Sequence, residues 1–306
     1  MVNMQGARRT SGRVVTGITA AVTIVVTVAL LSSSAPAGAV PHTTAVATPS
    51  SYVALGDSYT AAPLVLPPAP GAPLDCFQSS VNYPHLTAAA LGLALTDRSC
   101  SSATTADMTT AQYPDQPPQF DALKPTTSVV TVGIGGNDNQ LFISALVACT
   151  ATDALDVLNI GTPCRNLFGN YFVNQVNTDA PVVGQAIGTI HARSPVAKVF
   201  VIGYPDILPQ RGNCYPQLTL TTGDVAYLNA LELSLNAMLK REAAAHGAMF
   251  VDTFAASVGH DACQAVGTRW IEPIVPGTDA FPVHPNAKGE AADARAVQAA
   301  MHAAGL

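Results

Sequence analysis

Charge is scarce in this chain. Only 11% of its 306 residues are Asp, Glu, Lys or Arg, and 14 cations face 20 acids. A disordered chain is charge-rich and poor in apolar residues, so 48% hydrophobic content excludes that class. The few cations leave no electrostatic footprint for nucleic acid, whose phosphates need clustered Lys and Arg. Aromatic residues are equally sparse at 6%, with a single Trp. That counts against a polysaccharide groove lined with exposed rings and leaves Trp270 as a core anchor. The six cysteines contain no CxxC pair, which argues against a zinc or redox motif. No His and acid cluster at ligand spacing suggests a metal. Neither a GK[ST] phosphate loop nor a GxGxxG fingerprint follows a strand, so no cofactor is expected. The 23 glycines lack a Gly-X-Y period, and no solenoid-type repeat is present.

The N-terminus reads as an address. Arg8, Arg9 and Arg13 precede an uncharged apolar run from Val14 to Leu31, and Ala37-Gly38-Ala39 fits a small-x-small cleavage site. The run is about long enough to span a bilayer as an uncleaved anchor, but the Ala-x-Ala ending favours removal. Residues 1–39 are therefore expected to be a signal peptide, 40–50 a flexible leader, and 51–306 a single domain. Removal takes away three arginines and no acid, which makes the exported protein more acidic and soluble. A secreted product without a stable membrane anchor follows from cleavage; with it goes an oxidising compartment that permits disulfides. Spacing alone does not choose the cysteine pairing.

Strand-like and helix-like runs alternate along the rest of the chain. Ser51–Leu55, Ser128–Val132, Lys198–Ile202 and Ala248–Val251 are short β-prone runs without polar alternation, as in a parallel sheet buried on both faces. Helices are expected over Pro84–Leu93, Asn139–Cys149, Asp224–His246 and Ala287–His302. The third has Val225, Leu228, Leu231, Leu235 and Leu239 on one face, with Asp224 as its cap and Gly247 beyond its end. The pattern predicts an α/β fold, a three-layer α/β/α sandwich around a mainly parallel sheet. In such sheets ligands bind beyond the C-terminal strand ends.

Three strand ends carry candidate chemistry. Gly56-Asp57-Ser58 follows the first strand; by itself it reads first as a helix cap. Gly133-Ile134-Gly135-Gly136-Asn137-Asp138 follows the second. Its glycines let the backbone approach a ligand, and the Asn137 amide is a donor for a developing oxyanion; the plainer reading is a turn with Asp138 as cap. Near the C-terminus His284 lies between prolines in Phe281-Pro282-Val283-His284-Pro285-Asn286, where it is a candidate general base. Six other histidines lack such a context, with His260 in GHDAC the second choice.

Taken in order, YVALGDSY, CSSATTAD, GGND and VHPNAKGE resemble the sequence blocks of the SGNH, or GDSL-type, hydrolases, and specifically the secreted actinomycete lipases and esterases. The segments GHDAC and GTRWIEP add to this likeness, which spans essentially the whole chain after the leader. The resemblance implies a Ser–His acyl-enzyme mechanism on fatty-acyl esters, with Ser58 as nucleophile and His284 as base. It implies an oxyanion hole from the backbone N–H groups of Ser58 and Ser102 and the Asn137 side chain. It also implies the pairs Cys76–Cys100, Cys149–Cys164 and Cys214–Cys263. Two positions depart from the family pattern. Ser102 stands where Gly is usual, and Phe281 stands where many relatives carry Asp, three residues before the His. The expected orienter of His284 is therefore the Phe281 main-chain carbonyl, with Asp279 as the alternative. A phospholipase, a polysaccharide deacetylase, or a non-catalytic binding protein on the same fold are the competing readings. A monomer acting on a lipid or other acyl ester, without nucleic acid, metal or stable membrane anchor, is the expectation.

Overall fold

Runs of uncharged, mostly β-branched residues have no polar face to offer water, so the sheet they build needs cover on both sides. In the computed structural model, which describes residues 50–275, 277 and 279–306, three such runs form the centre of a five-stranded sheet. The expected signal segment and nearly all of the leader lie outside the described residues. The strands are β1 (Ser51–Gly56), β2 (Ala94–Asp97), β3 (Val129–Gly133), β4 (Lys198–Ile202) and β5 (Met249–Val251). They pair in parallel in the order β2-β1-β3-β4-β5. The helices are α1 (Ser58–Ala61), α2 (Tyr83–Leu91), α3 (Leu141–Asp153), α4 (Pro163–Phe168), α5 (Tyr171–Arg193), α6 (Thr222–Ala245), α7 (Phe254–Ser257) and α8 (Ala287–Ala303).

Strand alternation sorts side chains into two cores. Val53, Leu55, Val130, Val132, Val199 and Val201 pack with α3, α5 and α6 on one side. Tyr52, Ala54, Val129, Phe200, Ile202 and Val251 pack with α2 and α8 on the other. This is the three-layer α/β/α sandwich. Fully buried leucines and isoleucines such as Ile187, Ile190, Leu235 and Leu239 each contribute roughly 1.5–3 kcal/mol of transfer free energy.

Local signals set most boundaries. Asn82 caps α2 by accepting from the His85 N–H, Pro84 sits in its first turn, and Gly92 ends it in the left-handed region. The sequence missed β2, α4, α5 and α7. β2 is a four-residue edge strand with Ala and Asp, poor β formers, at its ends. α5 is a 23-residue helix interrupted in sequence by Pro181. An interior proline costs about 3 kcal/mol. Burial of Phe172, Val176, Val183, Ile187 and Ile190 along one face against the sheet and α6 offsets that cost. The start of α6 also differs from expectation. Thr221, not Asp224, caps it. The Asp224 carboxylate instead accepts the Cys164 and Arg165 N–H groups at 2.8 and 2.9 Å, and so caps α4.

The sheet order reverses direction between β1 and β3. The chain leaves β1 toward β2 on one flank and leaves β3 toward β4 on the other, which opens a crevice at their C-terminal ends. The Gly56 and Gly133 ends of these strands are register partners. The segments that follow them therefore start side by side.

Candidate active site

Asp57 and Ser58 divide two jobs that the sequence could not separate. Asp57 is the cap of α1: its Oδ1 accepts the Tyr59 N–H at 2.9 Å. That leaves the Ser58 hydroxyl for another partner. His284 Nε2 lies 2.7 Å from Ser58 Oγ, across 226 positions of sequence. His284 Nδ1 lies 2.8 Å from the main-chain carbonyl of Pro282. A carbonyl only accepts, so Nδ1 carries the proton and Nε2 is the acceptor of the Ser58 O–H.

The orienting group is thus neither of the two expected. The Phe281 carbonyl is taken by the His284 backbone N–H at 3.1 Å, closing a turn that aims Nδ1 at Pro282 instead. Asp279 is exposed and makes no hydrogen bond to His284. Asp279→Asn is expected to keep kcat/KM for a soluble ester within about threefold of wild type; a loss of several hundred-fold would restore it as a third member.

The histidine loop is braced from several directions. The backbones of Glu272 and of Val283 and His284 exchange hydrogen bonds at 2.7 and 3.0 Å, and the Phe281 N–H donates to Pro63 O. Tyr59 O–H donates to Val283 O at 2.7 Å, and its ring packs 4.7 Å from the His284 ring. Val283 sits at φ +63°, a strained region for a β-branched residue, so this bracing maintains a conformation the residue disfavours. Under the loop, Glu272 forms a buried pair with Arg269 and accepts from Asn286 Nδ2 at 2.9 Å. Asn286 also caps α8. The GTRWIEP and HPN segments therefore act together as the foundation of the histidine loop.

The other two segments are stitched to the Ser58 turn. Cys100 N–H donates to Gly56 O, and the Cys76–Cys100 disulfide ties the chain after Ser58 to the segment bearing Ser102. The remaining bridges are Cys149–Cys164 and Cys214–Cys263. Ser102 is exposed at φ +66°, so it adopts the left-handed conformation that Gly takes more readily. The backbone N–H groups of Ser58 and Ser102 have no acceptor among the described residues. Asn137 Nδ2 donates to Ala103 O at 3.1 Å, which uses one of its two hydrogens. Asp138, read from sequence as a possible cap, instead accepts the Thr105 N–H at 2.8 Å and holds the 100–107 segment against the glycine turn.

Tyr204 is the residue that sequence reasoning passed over. Its hydroxyl donates to Asp57 Oδ2 at 2.6 Å and accepts the Gly136 N–H at 2.8 Å. One oxygen thus spans the residues preceding Ser58 and Asn137. A Cβ at Gly136 would lie 2.9 Å from that oxygen and 2.4 Å from the Phe142 ring, which is why glycine is required there. The signal was present: Gly203-Tyr204 follows β4, a fourth strand end. His260, the second histidine candidate, is committed elsewhere. It stacks on Trp270 at 3.8 Å and contacts Thr268 O, and the half-buried Trp270 is a stacking partner rather than a core anchor.

Burial dominates the titration of the site. It lowers His284 to about 4, against a smaller upward pull from the Pro282 carbonyl. It raises Asp57 to about 7, opposed by the Tyr204 hydrogen bond. Burial likewise raises Asp206 to about 7 and Asp293 to about 8. These three carboxyls hold protons in the fold that the unfolded chain has released. Their contribution to stability is full below the unfolded carboxylate value and is lost as pH rises through 7 to 8. His284 acts oppositely: its contribution is full above about 6.5 and is lost as pH falls through about 4. Between pH 6.5 and 8.5 only the carboxyls act. Calorimetry is expected to give a Tm roughly 3–10 °C higher at pH 6.5 than at pH 8.5, and the reverse order would contradict this assignment.

A serine hydroxyl on a neutral imidazole, beside unpaired backbone donors at a parallel-sheet switch point, is the arrangement of a serine hydrolase. The chain belongs to the GDSL-like lipase/acylhydrolase family, whose family model matches residues 54–292. It is 46% identical over 277 residues to Lipase 2 of Streptomyces coelicolor, covering 89% of this chain and 92% of that one. A lipase of Streptomyces rimosus is 29% identical over 241 residues, covering 78% and 82%. Among solved structures, phospholipase A1 from Streptomyces albidoflavus is similar with a TM-score of 0.64 at 27% identity, covering 84% of this chain and 99% of that one. An extracellular lipase from Streptomyces rimosus is similar with a TM-score of 0.64 at 26% identity, covering 83% and 99%. The protein is a lipase/esterase with an α/β sandwich fold. Among the described residues no helix is long and apolar enough to cross a membrane.

Proposed function

We propose that the protein hydrolyses fatty-acyl esters, triacylglycerols above all, through a Ser58–His284 dyad and an acyl-enzyme. The observation that carries this reading is the 2.7 Å contact of Ser58 Oγ with a His284 Nε2 whose other nitrogen is held by a carbonyl. Ser58 Oγ attacks the ester carbonyl carbon as its proton passes to Nε2. The carbonyl oxygen becomes an oxyanion that accepts from the Ser58 N–H, the Ser102 N–H and Asn137 Nδ2. On collapse the C–O bond breaks, and Nε2 returns its proton to the leaving alcohol. Water then attacks the acyl-enzyme with Nε2 again as base, and the carboxylic acid leaves. The Pro282 carbonyl keeps Nδ1 protonated and turned inward through both steps.

In this reading the chain is exported, with residues 1–39 removed as a signal peptide and 40–50 left as a leader, and it acts as an extracellular monomer. The phospholipase A1 among its structural neighbours supports a second reading on the same site. Fatty-acid release from emulsified trioleoylglycerol and from phosphatidylcholine, alongside p-nitrophenyl esters of increasing chain length, separates the two. A long-chain optimum with preference for the triacylglycerol is expected. Preference for phosphatidylcholine would favour the phospholipase, and activity confined to short esters would reject both.

A further inference from the structure

Helix α3 is apolar on its solvent side. Its inward face is ordinary: Leu141, Ala145 and Cys149 are buried. On an amphipathic helix the opposite face is polar. Here it carries Ile143 and Val147, 55% and 56% exposed, four residues apart. The apolar surface continues beyond the helix through Leu155, Val157, Leu158 and Ile160, exposed by between 68% and 88%. From residue 141 to 162 the only charged residues are Asp153 and Asp156. Asp153 is buried, and Asp156 turns its carboxylate onto the Leu158 and Gly161 N–H groups. The turn is not loose. The Cys149–Cys164 bridge anchors it, and Asn159 O accepts from Thr222 N and Asn213 Nδ2.

This surface begins at the site. α3 follows the glycine turn that bears Asn137, and Phe142, beside Ile143, packs 5.8 Å from Tyr59 and 4.9 Å from Tyr204. A continuous exposed apolar patch marks an interaction surface, since isolated apolar side chains are common but a run of this length is not. Its start on the helix that leaves the Asn137 turn, and its lack of charge, specify the occupant. A lipid surface of no net charge takes up apolar side chains without needing cations, whereas the chain's net charge of −6 opposes an anionic one.

We propose that the outer face of α3 and the 155–160 turn dock the protein onto a lipid surface without net charge, so that the Ser58 site opens against the layer that holds the acyl chains. The proposal rests on the lipase reading, and its test is separable from it. The Ser58→Ala protein, which leaves lipid intact, is titrated with phosphatidylcholine vesicles, with and without Leu158→Asp and Ile160→Asp. The substitutions are expected to lower the partition coefficient by about tenfold or more, given the transfer free energy of two large apolar side chains. In the Ser58 background the same substitutions are expected to leave kcat/KM for soluble p-nitrophenyl acetate within about twofold, which also verifies folding. Vesicle binding that ignores the substitutions, or is absent from the start, would overturn the proposal. So would a dimer in lipid-free sedimentation that the substitutions dissolve, because a second copy would then be the occupant. A protein that binds vesicles yet hydrolyses no ester would instead sink the lipase reading and leave the docking surface standing.

Discussion

Ester hydrolysis by the Ser58→Ala protein is expected to fall by about 10⁴-fold or more in kcat/KM. The substitution removes the hydroxyl that lies 2.7 Å from His284 Nε2, and with it, in the proposed mechanism, both the nucleophile and the route of its proton. The fold has little stake in that hydroxyl. Asp57 makes the cap, and Ser58's own backbone carbonyl still accepts from Ala62 N–H. The loss is therefore expected without a matching drop in Tm. Backbone donors and His284 remain, so residual hydrolysis above water is the expected floor rather than zero. A fluorophosphonate probe should add its mass to the wild-type peptide containing Ser58 and leave the variant unlabelled. Activity within tenfold of wild type, or labelling of a different serine, would place the nucleophile elsewhere. His284→Ala should behave similarly, because in the proposed dyad each member is idle without the other.

Asn137→Ala is expected to lower kcat by about 10²–10³-fold, or roughly 3–4 kcal/mol in barrier, with KM changed by less than about threefold. The amide sits on the turn after β3, fixed by its bond to Ala103 O, and one N–H remains for the proposed contact with the oxyanion. An interaction made only with the developing charge appears in kcat and not in substrate binding. The conservative variant sharpens the test. Asn137→Asp keeps the shape, but removes both donors and sets an anion where negative charge must form. It is expected to be at least as inactive as Asn137→Ala. An Asp variant more active than the Ala variant would mean that Asn137 serves packing and not charge.

Much of this molecule is legible without coordinates because the relevant physics is local. Apolar runs such as Ser128–Val132 and Lys198–Ile202 are β3 and β4 nearly to the residue, since buried parallel strands need unbroken hydrophobicity. The leucines of α6 mark its inward face, and Gly247 does lie in the left-handed region just past its end. Ser58, Asn137 and His284 stand at glycine- or proline-marked breaks that alone read as a cap, a turn and a lone histidine; the ordered blocks resembling the GDSL-type hydrolases are what single them out. What failed was anything that depends on a partner distant in sequence. Pro181 hides α5 because the compensating burial against α6 is tertiary. Asp224 looks like the cap of its own helix until α4 presents two free N–H groups to it.

The chain's order of residues thus determined the sandwich, the strand ends that carry chemistry, and the residue types available there. Tertiary structure alone decided how those residues are held. The Pro282 carbonyl rather than that of Phe281 faces His284 because a backbone turn, stabilised by Tyr59 and Glu272 from other parts of the chain, sets the direction of the ring. Tyr204 matters because β4 ends beside β3, one strand away from β1, which brings its hydroxyl between Asp57 and Gly136. Hydrogen bonds of this kind are selected by direction and distance after the sheet has closed. No spacing along the chain encodes them.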